Sequence, residues 1–146
     1  MEEAYTTINN VLVNLINEIW ELEEKAIITD EFRDLSNNDM HVIEAIGLEE
    51  PKNMSTAARV LSVTVGTLTI AVNSLVKKEY VDRVRSNKDR RVVLISLTEK
   101  GRRAFAHHRQ FHENMVGAIM ERLNEQELEV LVKALGHLEK YFRSVV

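Results

Sequence analysis

The sequence contains no cysteine, a single proline and only five glycines. Without cysteine the chain has no disulfide, no thiolate nucleophile and no thiol ligand for zinc, which is compatible with a reducing compartment. So few prolines and glycines leave few helix breakers and favour a mainly helical fold. A chain of 146 residues, 45% of them hydrophobic, is long enough to bury one hydrophobic core without the help of disulfide bonds.

The amino-acid sequence also shows no segment typical of those that direct a chain to a membrane. The start, MEEAYTTINN, has neither the basic residues nor the apolar run of a secretory signal peptide. No apolar run approaches the roughly 18 residues of a membrane span. We therefore expect a cytoplasmic protein that does not bind a membrane.

Catalytic motifs are absent as well. The sequence has no G-x-x-x-x-G-K-[ST], G-x-G-x-x-G, G-x-S-x-G or H-E-x-x-H pattern. Its acidic runs, EIWELEEK and NEQELE, are typical of solvated helix faces and of first helical turns. We expect that the chain is not an enzyme.

Positive charge is concentrated in one segment of a chain whose formal net charge is −4. Residues 77–103 hold ten Lys or Arg against four Asp or Glu, a local balance of +6, whereas nine basic and nineteen acidic residues elsewhere give −10. A basic segment on an acidic body is typical of proteins that bind a polyanion. A solvated charged face is the alternative.

The centre of the chain has the hydrophobic period of three short helices. Caps at 36–39 and a stop at Gly47 delimit the first, and Ser55 is the predicted cap of the second. After the turn 62–64, the third helix repeats apolar residues at i, i+3, i+4 and i+7. These residues are Leu68, Ala71, Val72 and Leu75. Two short helices joined by a three-residue turn predict a helix-turn-helix.

The second helix of such a motif lies in the DNA major groove. We expect Asn73 to pair with adenine and Ile70 to contact a thymine methyl group, which predicts an A/T-rich operator. An exposed Ile70 without a partner is the alternative. The predicted contacts of this recognition helix are Thr64, Gly66, Thr67, Thr69, Ile70, Asn73 and Lys77.

After the helix-turn-helix the hydrophobic period changes to two. YVDRVR and VVLISL are strand-like, and SNKDRR between them carries turn residues. We expect this basic hairpin to be a wing that reads the minor groove, whose negative potential attracts arginine. Asp89 is expected to hold the guanidinium of Arg91 in a bidentate pair. The predicted wing contacts are Arg85, Ser86, Asn87, Lys88, Asp89, Arg90 and Arg91.

Both ends of the chain carry a 3.5-residue hydrophobic repeat, on a helix over 5–28 and on a helix capped by Asn124. A symmetric dimer would cover both repeats, and an intrachain helix pair is the alternative. Thr98 is the predicted cap of the helix over 99–123. The predicted dimerisation residues are Ile8, Leu12, Leu15, Leu128, Leu131, Leu135, Leu138 and Phe142.

Together these patterns predict a mainly α (α+β) fold in a single domain over 1–146. A winged helix-turn-helix with a two-stranded β wing, at 36–97, is inserted between dimerisation helices within 1–34 and 98–146.

The stretch NSLVKKEYVDRVRSNKDRRVVLISLTEKG resembles the signature of MarR-family winged-helix repressors. It carries their D-x-R at Asp89 and Arg91 and their L-T-x-x-G at Leu97, Thr98 and Gly101. MHVIEAIG, VTVGTLTIAVNSL, RSNKDRRVV and HHRQFHENMV are similar to the branch of that family that represses fatty-acid synthesis genes in Gram-positive bacteria. The resemblance implies a homodimer on a pseudo-palindromic operator of double-stranded DNA, with long-chain acyl-acyl carrier protein as corepressor.

The chain departs from the family's pattern at two positions. Ile70 stands where many members have arginine, so base recognition differs there. Glu79 stands where a glycine usually follows the recognition helix. If the backbone at Glu79 keeps the left-handed conformation, its side chain costs on the order of 1 kcal/mol.

Effectors of this family generally bind where the dimer helices meet the winged part, and the resemblance implies an acyl slot there with adaptable apolar walls. The expected slot residues are Ile16, Ile19, Trp20, Met40, Ile43, Phe105 and Met115, for each of which core packing is the alternative. The acidic carrier protein is expected to contact Arg102, Arg103 and Arg109. A regulator of the same fold that answers to a free aromatic or fatty acid, and a winged helix that binds protein instead of DNA, are the alternative functions.

His108 and His112 are spaced i, i+4 on one predicted helix, which suits zinc. The sequence shows no third ligand beside them and no cysteine. We therefore expect no metal and, apart from the corepressor, no cofactor.

Overall fold

The computed structural model describes residues 1–27, 29 and 31–146. The helices in this part of the chain are α1 (Glu2–Asn10), a π-helical segment (Val11–Leu15), α2 (Ile16–Ile27), α3 (Asn37–Ile46), α4 (Met54–Leu61), α5 (Val65–Lys77), α6 (Glu99–Met120) and α7 (Glu125–Val145). The strands are β1 (Lys52–Asn53), β2 (Val81–Arg85) and β3 (Val93–Leu97). These elements form two compact units, residues 1–109 and 110–146.

The N-terminal helix predicted over 5–28 is present as a helical run over 2–27. It includes the π-helical turn, which the apolar repeat did not indicate. Residue 28, the predicted end, lies outside the described residues.

The predicted caps of α3 are confirmed. The Asp39 backbone N–H donates to Ser36 Oγ at 3.1 Å, and the Ser36 N–H donates to Asp39 Oδ2 at 3.0 Å. This reciprocal pair satisfies two amide donors at the start of the helix. Gly47 ends the helix with a φ of 71°, a conformation that glycine adopts without strain.

The predicted cap of α4 is wrong by two residues. Asn53 is the cap, because its Oδ1 accepts from the Thr56 N–H at 2.7 Å, and Ser55 lies inside the first turn. Asn53 has extended backbone dihedrals because it also belongs to β1, so the chain turns into the helix directly from the sheet. Strand β1 is too short for a periodic pattern to reveal it.

The recognition helix α5 buries the stripe that its spacing predicts. Leu68, Val72 and Leu75 are at most 1% exposed, and Ala71 is half-buried. They pack into one cluster with the inner residues of α3, α4, the sheet and the start of α6. Other members of that cluster that are at most 2% exposed include Met40, Ile43, Ile46, Tyr80 and Ile95. Packing on one side leaves the other side of α5 facing outwards.

The hairpin is confirmed, with a third strand added. Strands β2 and β3 pair antiparallel from Val81 opposite Leu97 to Arg85 opposite Val93. On its other edge β3 pairs with the two residues of β1, so the strand order is β1-β3-β2. The wing therefore starts from a three-stranded sheet instead of the predicted two strands.

The backbone at Glu79 is left-handed, with a φ of 69°. The Thr98 hydroxyl donates to the Glu79 carbonyl at 2.7 Å and also accepts from the Gly101 N–H at 3.0 Å. Thr98 thus caps α6, as its position predicted, and fixes the chain reversal after α5.

The unit over 110–146 contains the second part of α6 and the whole of α7. Helix α6 ends at Met120, three residues before the predicted end. Asn124 caps α7 in a reciprocal pair with Glu127, as predicted. Among the described residues no single helix is long and apolar enough to cross a membrane; α4 and α5 reach that length only together, across a bend of 105°.

Candidate nucleic-acid interface

The outward face of α5 presents most of the predicted base contacts. Gly66, Thr67, Asn73 and Lys77 are exposed, and Ile70 is exposed to 75% of its surface. An isoleucine this exposed contributes nothing to the core and is available to a methyl group of a partner. The face combines one apolar residue with donors and acceptors, as a base-reading surface requires.

The start of α5 is fixed by its own threonines. Thr64 caps the helix by accepting from the Thr67 N–H at 3.1 Å, and its hydroxyl donates to the Thr67 hydroxyl at 3.0 Å. The Thr69 hydroxyl donates to the Val65 carbonyl at 2.8 Å. Thr64 and Thr69 therefore use hydroxyl groups to shape the helix, while the exposed Thr67 hydroxyl still has donor capacity.

The wing tip holds the predicted acid–arginine pair. Arg91 Nε donates to Asp89 Oδ1 and Arg91 Nη2 donates to Asp89 Oδ2, both at 3.1 Å, and the Arg91 backbone N–H also donates to Asp89 Oδ1 at 3.0 Å. These hydrogen bonds from Arg91 lower the pKa of the Asp89 carboxyl below its ordinary value. The Arg91 side chain is nevertheless 91% exposed, so the pair orients the guanidinium and leaves it accessible to a partner.

Other residues of the wing hold its turn. Arg85 Nη1 donates to the Arg90 carbonyl at 2.9 Å across the hairpin, and the Lys88 N–H donates to Ser86 Oγ at 3.2 Å. Asn87, Lys88, Arg90 and Arg91 are exposed, whereas Ser86 is half-buried. Arg85 and Lys88 therefore help to shape the turn and also face outwards.

Sequence reasoning missed Arg83. Its Nη2 donates to the Oδ1 of Asn73, so the wing strand β2 and the recognition helix are joined by a side-chain hydrogen bond. The expected pairing of Asn73 with adenine did not allow for this bond. The alternation of β2 indicates that Arg83 shares a face with Arg85 and the buried Val81, but it does not indicate the contact with α5.

The end of α5 is anchored by a partly buried polar cluster. Lys78 Nζ donates to the Asp34 carbonyl at 2.6 Å and to Asp39 Oδ2 at 3.1 Å. The Tyr80 hydroxyl donates to Asp34 Oδ1 at 2.7 Å, and Lys100 Nζ lies 4.4 Å from the centre of the Tyr80 ring. Burial and then the Asp34 carboxylate raise the pKa of Tyr80 well above its ordinary value. These contacts hold the recognition helix at a fixed angle to α3.

The residues predicted for an acyl slot lie in different environments. Met40 and Ile43 belong to the buried core, while Ile16 and Trp20 are exposed and Ile19 is half-buried. Phe105 lines a cleft of about 630 Å³, and Met115 lies half-buried in the other unit. The residues that line the cleft are His41, Glu44, Ala45, Val60, Leu61 and Phe105.

The arginines predicted for the carrier protein, Arg102, Arg103 and Arg109, are exposed on α6. Arg103 Nε donates to Glu31 Oε1, a contact between the start of α6 and the loop before α3. Their role in binding a carrier protein stays a prediction.

His108 is buried beside two carboxylates. Its Nε2 lies 3.2 Å from Glu23 Oε1 and 3.5 Å from Glu44 Oε1. Sequence spacing drew attention to His112, one helical turn further on, but did not reveal Glu23, which is more than 80 residues away in the chain. The expectation that no metal binds stays a prediction.

The apolar repeats of the terminal helices are uncovered in the single chain. Ile8, Leu12 and Leu15 are exposed on the N-terminal run. On α7, Leu128 and Leu131 are half-buried, and the rest of the repeat is exposed, with Leu135 at 53% and Phe142 at 46%. Apolar stripes of this length are typical of protein–protein contacts.

A family model described as transcriptional regulator SarA/Rot matches residues 25–108, which include α3 to α5 and the wing. The chain belongs to this family of winged-helix, MarR-type regulators. Along nearly its whole length the regulator is similar to the HTH-type transcriptional regulator YpoP of Bacillus subtilis, with 28% identity over 96% of this chain and 94% of YpoP.

The regulator is also similar to solved structures. The crystal structure of Streptococcus pneumoniae FabT in complex with DNA has 37% identity and a TM-score of 0.91, over 97% of this chain and 99% of FabT. A mutant MarR from E. coli has 23% identity and a TM-score of 0.65, over 87% of this chain and 93% of MarR, which supports the fold alone. The winged-helix fold is thereby confirmed, and these relatives are regulators instead of enzymes, as expected.

Proposed function

We propose that the regulator binds a pseudo-palindromic, A/T-rich DNA operator as a homodimer and represses fatty-acid synthesis genes. The main support for DNA binding is the Asp89–Arg91 pair, which orients an exposed guanidinium at the tip of a basic wing. The wing lies beside a recognition helix whose polar face is turned outwards. The likeness to FabT, whose structure contains DNA, supports the same use of these elements.

The homodimer is supported by the exposed apolar repeats at both ends of the chain. Uncovered leucines such as Leu12 and Leu135 are stabilised when a second copy removes them from water. Two wings related by a two-fold axis would reach half-sites separated by about one helical turn of DNA. The two-fold symmetry of such a dimer is the reason for proposing a pseudo-palindromic operator.

Long-chain acyl-acyl carrier protein is the proposed corepressor. The cleft at Phe105 supports an apolar ligand, since four of its six lining residues, Ala45, Val60, Leu61 and Phe105, are apolar. The exposed Arg102 and Arg109 on α6 provide positive charge for an acidic protein.

DNA binding is tested by fluorescence anisotropy with labelled duplexes at about 100 mM salt. An A/T-rich palindrome is expected to bind more tightly than a single half-site of equal length, because both wings engage only on the palindrome. Equal affinity for the two duplexes would contradict the dimer, and the absence of binding to every duplex would contradict the function.

The corepressor is tested by adding acyl carrier protein, with acyl chains of increasing length, to the regulator at half-saturation with operator. The long-chain forms are expected to raise operator affinity, whereas the carrier without an acyl chain is the matched control. Val60→Asp, in the cleft, is expected to abolish the increase while retaining basal DNA binding. If free aromatic or fatty acids change the affinity and no acylated carrier does, the regulator answers to a small ligand instead.

A further inference from the structure

Strand β2 covers the hydrophobic core only at its first residue, and the rest of the strand is exposed. Val81 is buried opposite Leu97, and Arg83 follows two residues later opposite Ile95. Because alternate side chains of a strand share a face, Val81 and Arg83 point to the same side of the sheet. Val81 fills the core on that side, and Arg83 emerges where the core ends, next to α5.

Arg83 uses this position to contact the recognition helix. Its Nη2 donates to the Oδ1 of Asn73, and both residues are exposed. Asn73 lies three residues beyond Ile70 and four before Lys77, on the outward face of α5. The contact thus lies within the surface that faces DNA under the proposed function.

The hydrogen bond from Arg83 changes which donor and acceptor groups of the Asn73 side chain can bind a base. An asparagine side chain has one acceptor oxygen and one NH2 group with two donors. Pairing with adenine uses both, since the oxygen accepts from N6 and the NH2 group donates to N7. The Arg83 guanidinium occupies one lone pair of this oxygen, and its positive charge disfavours the approach of the adenine N6 amino group to the other lone pair. The NH2 group of Asn73 remains available to donate to a base.

We propose, on the basis of the DNA binding proposed above, that Arg83 is a specificity-determining residue that makes Asn73 a donor to the base edge. Asn73 contributes one N–H group, and the Arg83 guanidinium contributes others beside it. Guanine alone presents two neighbouring acceptors, O6 and N7, in the major groove. The Asn73–Arg83 pair therefore selects a G·C base pair within an otherwise A/T-rich half-site.

The test measures affinity for a set of operators that carry each of the four base pairs at each position of one half-site. The position read by Asn73 is the one at which Asn73→Ala abolishes discrimination. The wild-type regulator is expected to prefer guanine over adenine there by roughly tenfold. Arg83→Met, which keeps an unbranched apolar stem but has no donor, is expected to reverse this preference in favour of adenine.

Two variants control for charge and for folding. Arg85→Met removes the same charge from the same face of β2, where Arg85 bonds the Arg90 carbonyl, and is expected to weaken binding to all four operators equally. Arg83→Lys keeps a positively charged donor beside α5 and is expected to retain the preference for guanine. Unchanged melting temperatures of the variants establish that they are folded.

The proposal is overturned if Arg83→Met weakens all four operators equally, as Arg85→Met does, or if the wild-type regulator prefers adenine at the position of Asn73. Either result leaves DNA binding intact and removes only the role of Arg83. If the wild-type regulator binds no duplex at all, the proposed function fails, and the role of Arg83 fails with it.

Discussion

Asp89 holds Arg91 through two side-chain hydrogen bonds of 3.1 Å each, on a guanidinium that is 91% exposed. An exposed pair of this kind contributes little to the stability of a fold. Its effect is on the guanidinium, whose rotamers are restricted before any partner arrives. An arginine that is already ordered loses less conformational entropy when it binds a polyanion.

Removal of the Asp89 carboxylate is expected to weaken DNA binding, although it removes a negative charge from a surface that meets DNA. Asp89→Ala frees the rotamers of Arg91, and we expect roughly 5-fold weaker binding. Asp82→Ala, which removes an exposed acid from β2, is the matched control and is expected to bind as well as the wild type or better. Anisotropy titrations measure both; tighter binding by Asp89→Ala would show that net charge alone controls affinity.

The same pair predicts how Asp89 titrates. Hydrogen bonds from Arg91 stabilise the charged carboxylate, so its pKa lies below the ordinary 3.8. The Asp89–Arg91 pair is therefore fully present at neutral pH and is lost only as the pH falls through that lowered pKa. Carbon NMR of the Asp89 carboxyl is expected to show a midpoint below 3.8 that moves upwards in Arg91→Ala. An identical midpoint in both proteins would mean that the pair does not form in solution.

Glu79→Gly is expected to stabilise the fold by about 0.5–1 kcal/mol. The left-handed backbone at Glu79, with a φ of 69°, strains a residue that has a Cβ by about 1–2 kcal/mol, and the greater freedom of an unfolded glycine offsets part of the gain. Glu49→Gly removes the same charge from an exposed position outside the left-handed region and is expected to be neutral or destabilising. Urea unfolding measures both free energies, and equal effects would contradict the account of Glu79.

Gly101→Ala is expected to destabilise the protein by about 1–3 kcal/mol. A Cβ at Gly101 would lie 2.1 Å from the Tyr80 carbonyl oxygen and 3.2 Å from the Leu97 Cβ, so the start of α6 would have to move. Gly117→Ala is the control, because no described atom lies within 4 Å of its added Cβ and alanine favours a helix by about 1 kcal/mol. A thermal unfolding midpoint that does not fall in Gly101→Ala would contradict the close approach of α6 to Tyr80.

Leu135→Asp is expected to shift the regulator from dimer to monomer. Leu135 belongs to the apolar repeat of α7 and is 53% exposed in the single chain, so a charge there would be buried against a second copy at high cost. Lys133→Asp places the same carboxylate on α7 outside the repeat and is expected to leave the dimer intact. Light scattering after size-exclusion chromatography measures both masses, and a dimer that persists in Leu135→Asp would place the interface elsewhere.

Local interactions made much of this structure predictable. Ser36, Thr98 and Asn124 cap helices because each bonds an amide three residues away, so the sequence alone carries the signal. The Asp89–Arg91 pair spans two residues and was predictable for the same reason. For Glu79 the family resemblance raised the left-handed conformation without deciding it, since the side chain gives no indication of that conformation.

What the sequence did not reveal depends on distant residues. Strand β1 exists only because Lys52 and Asn53 meet β3, some forty residues later. Glu23 approaches His108, and Arg83 meets Asn73, through the packing of separate elements. For Arg83 the alternation of β2 predicted the face but not the partner, because that requires the position of α5 relative to the wing.

The central claim is that an acidic protein binds DNA through the wing residue Arg91, which Asp89 holds in position. The salt dependence of operator binding tests this claim most directly. We expect the logarithm of the association constant to fall linearly with the logarithm of the salt concentration, with a slope that becomes about 0.9 shallower for each phosphate that the protein no longer neutralises. In a dimer, Arg91→Ala is expected to leave two phosphates without their arginine and to flatten the slope by about 1.8. A slope that is the same for wild type and Arg91→Ala, or an affinity that does not depend on salt, would contradict the account.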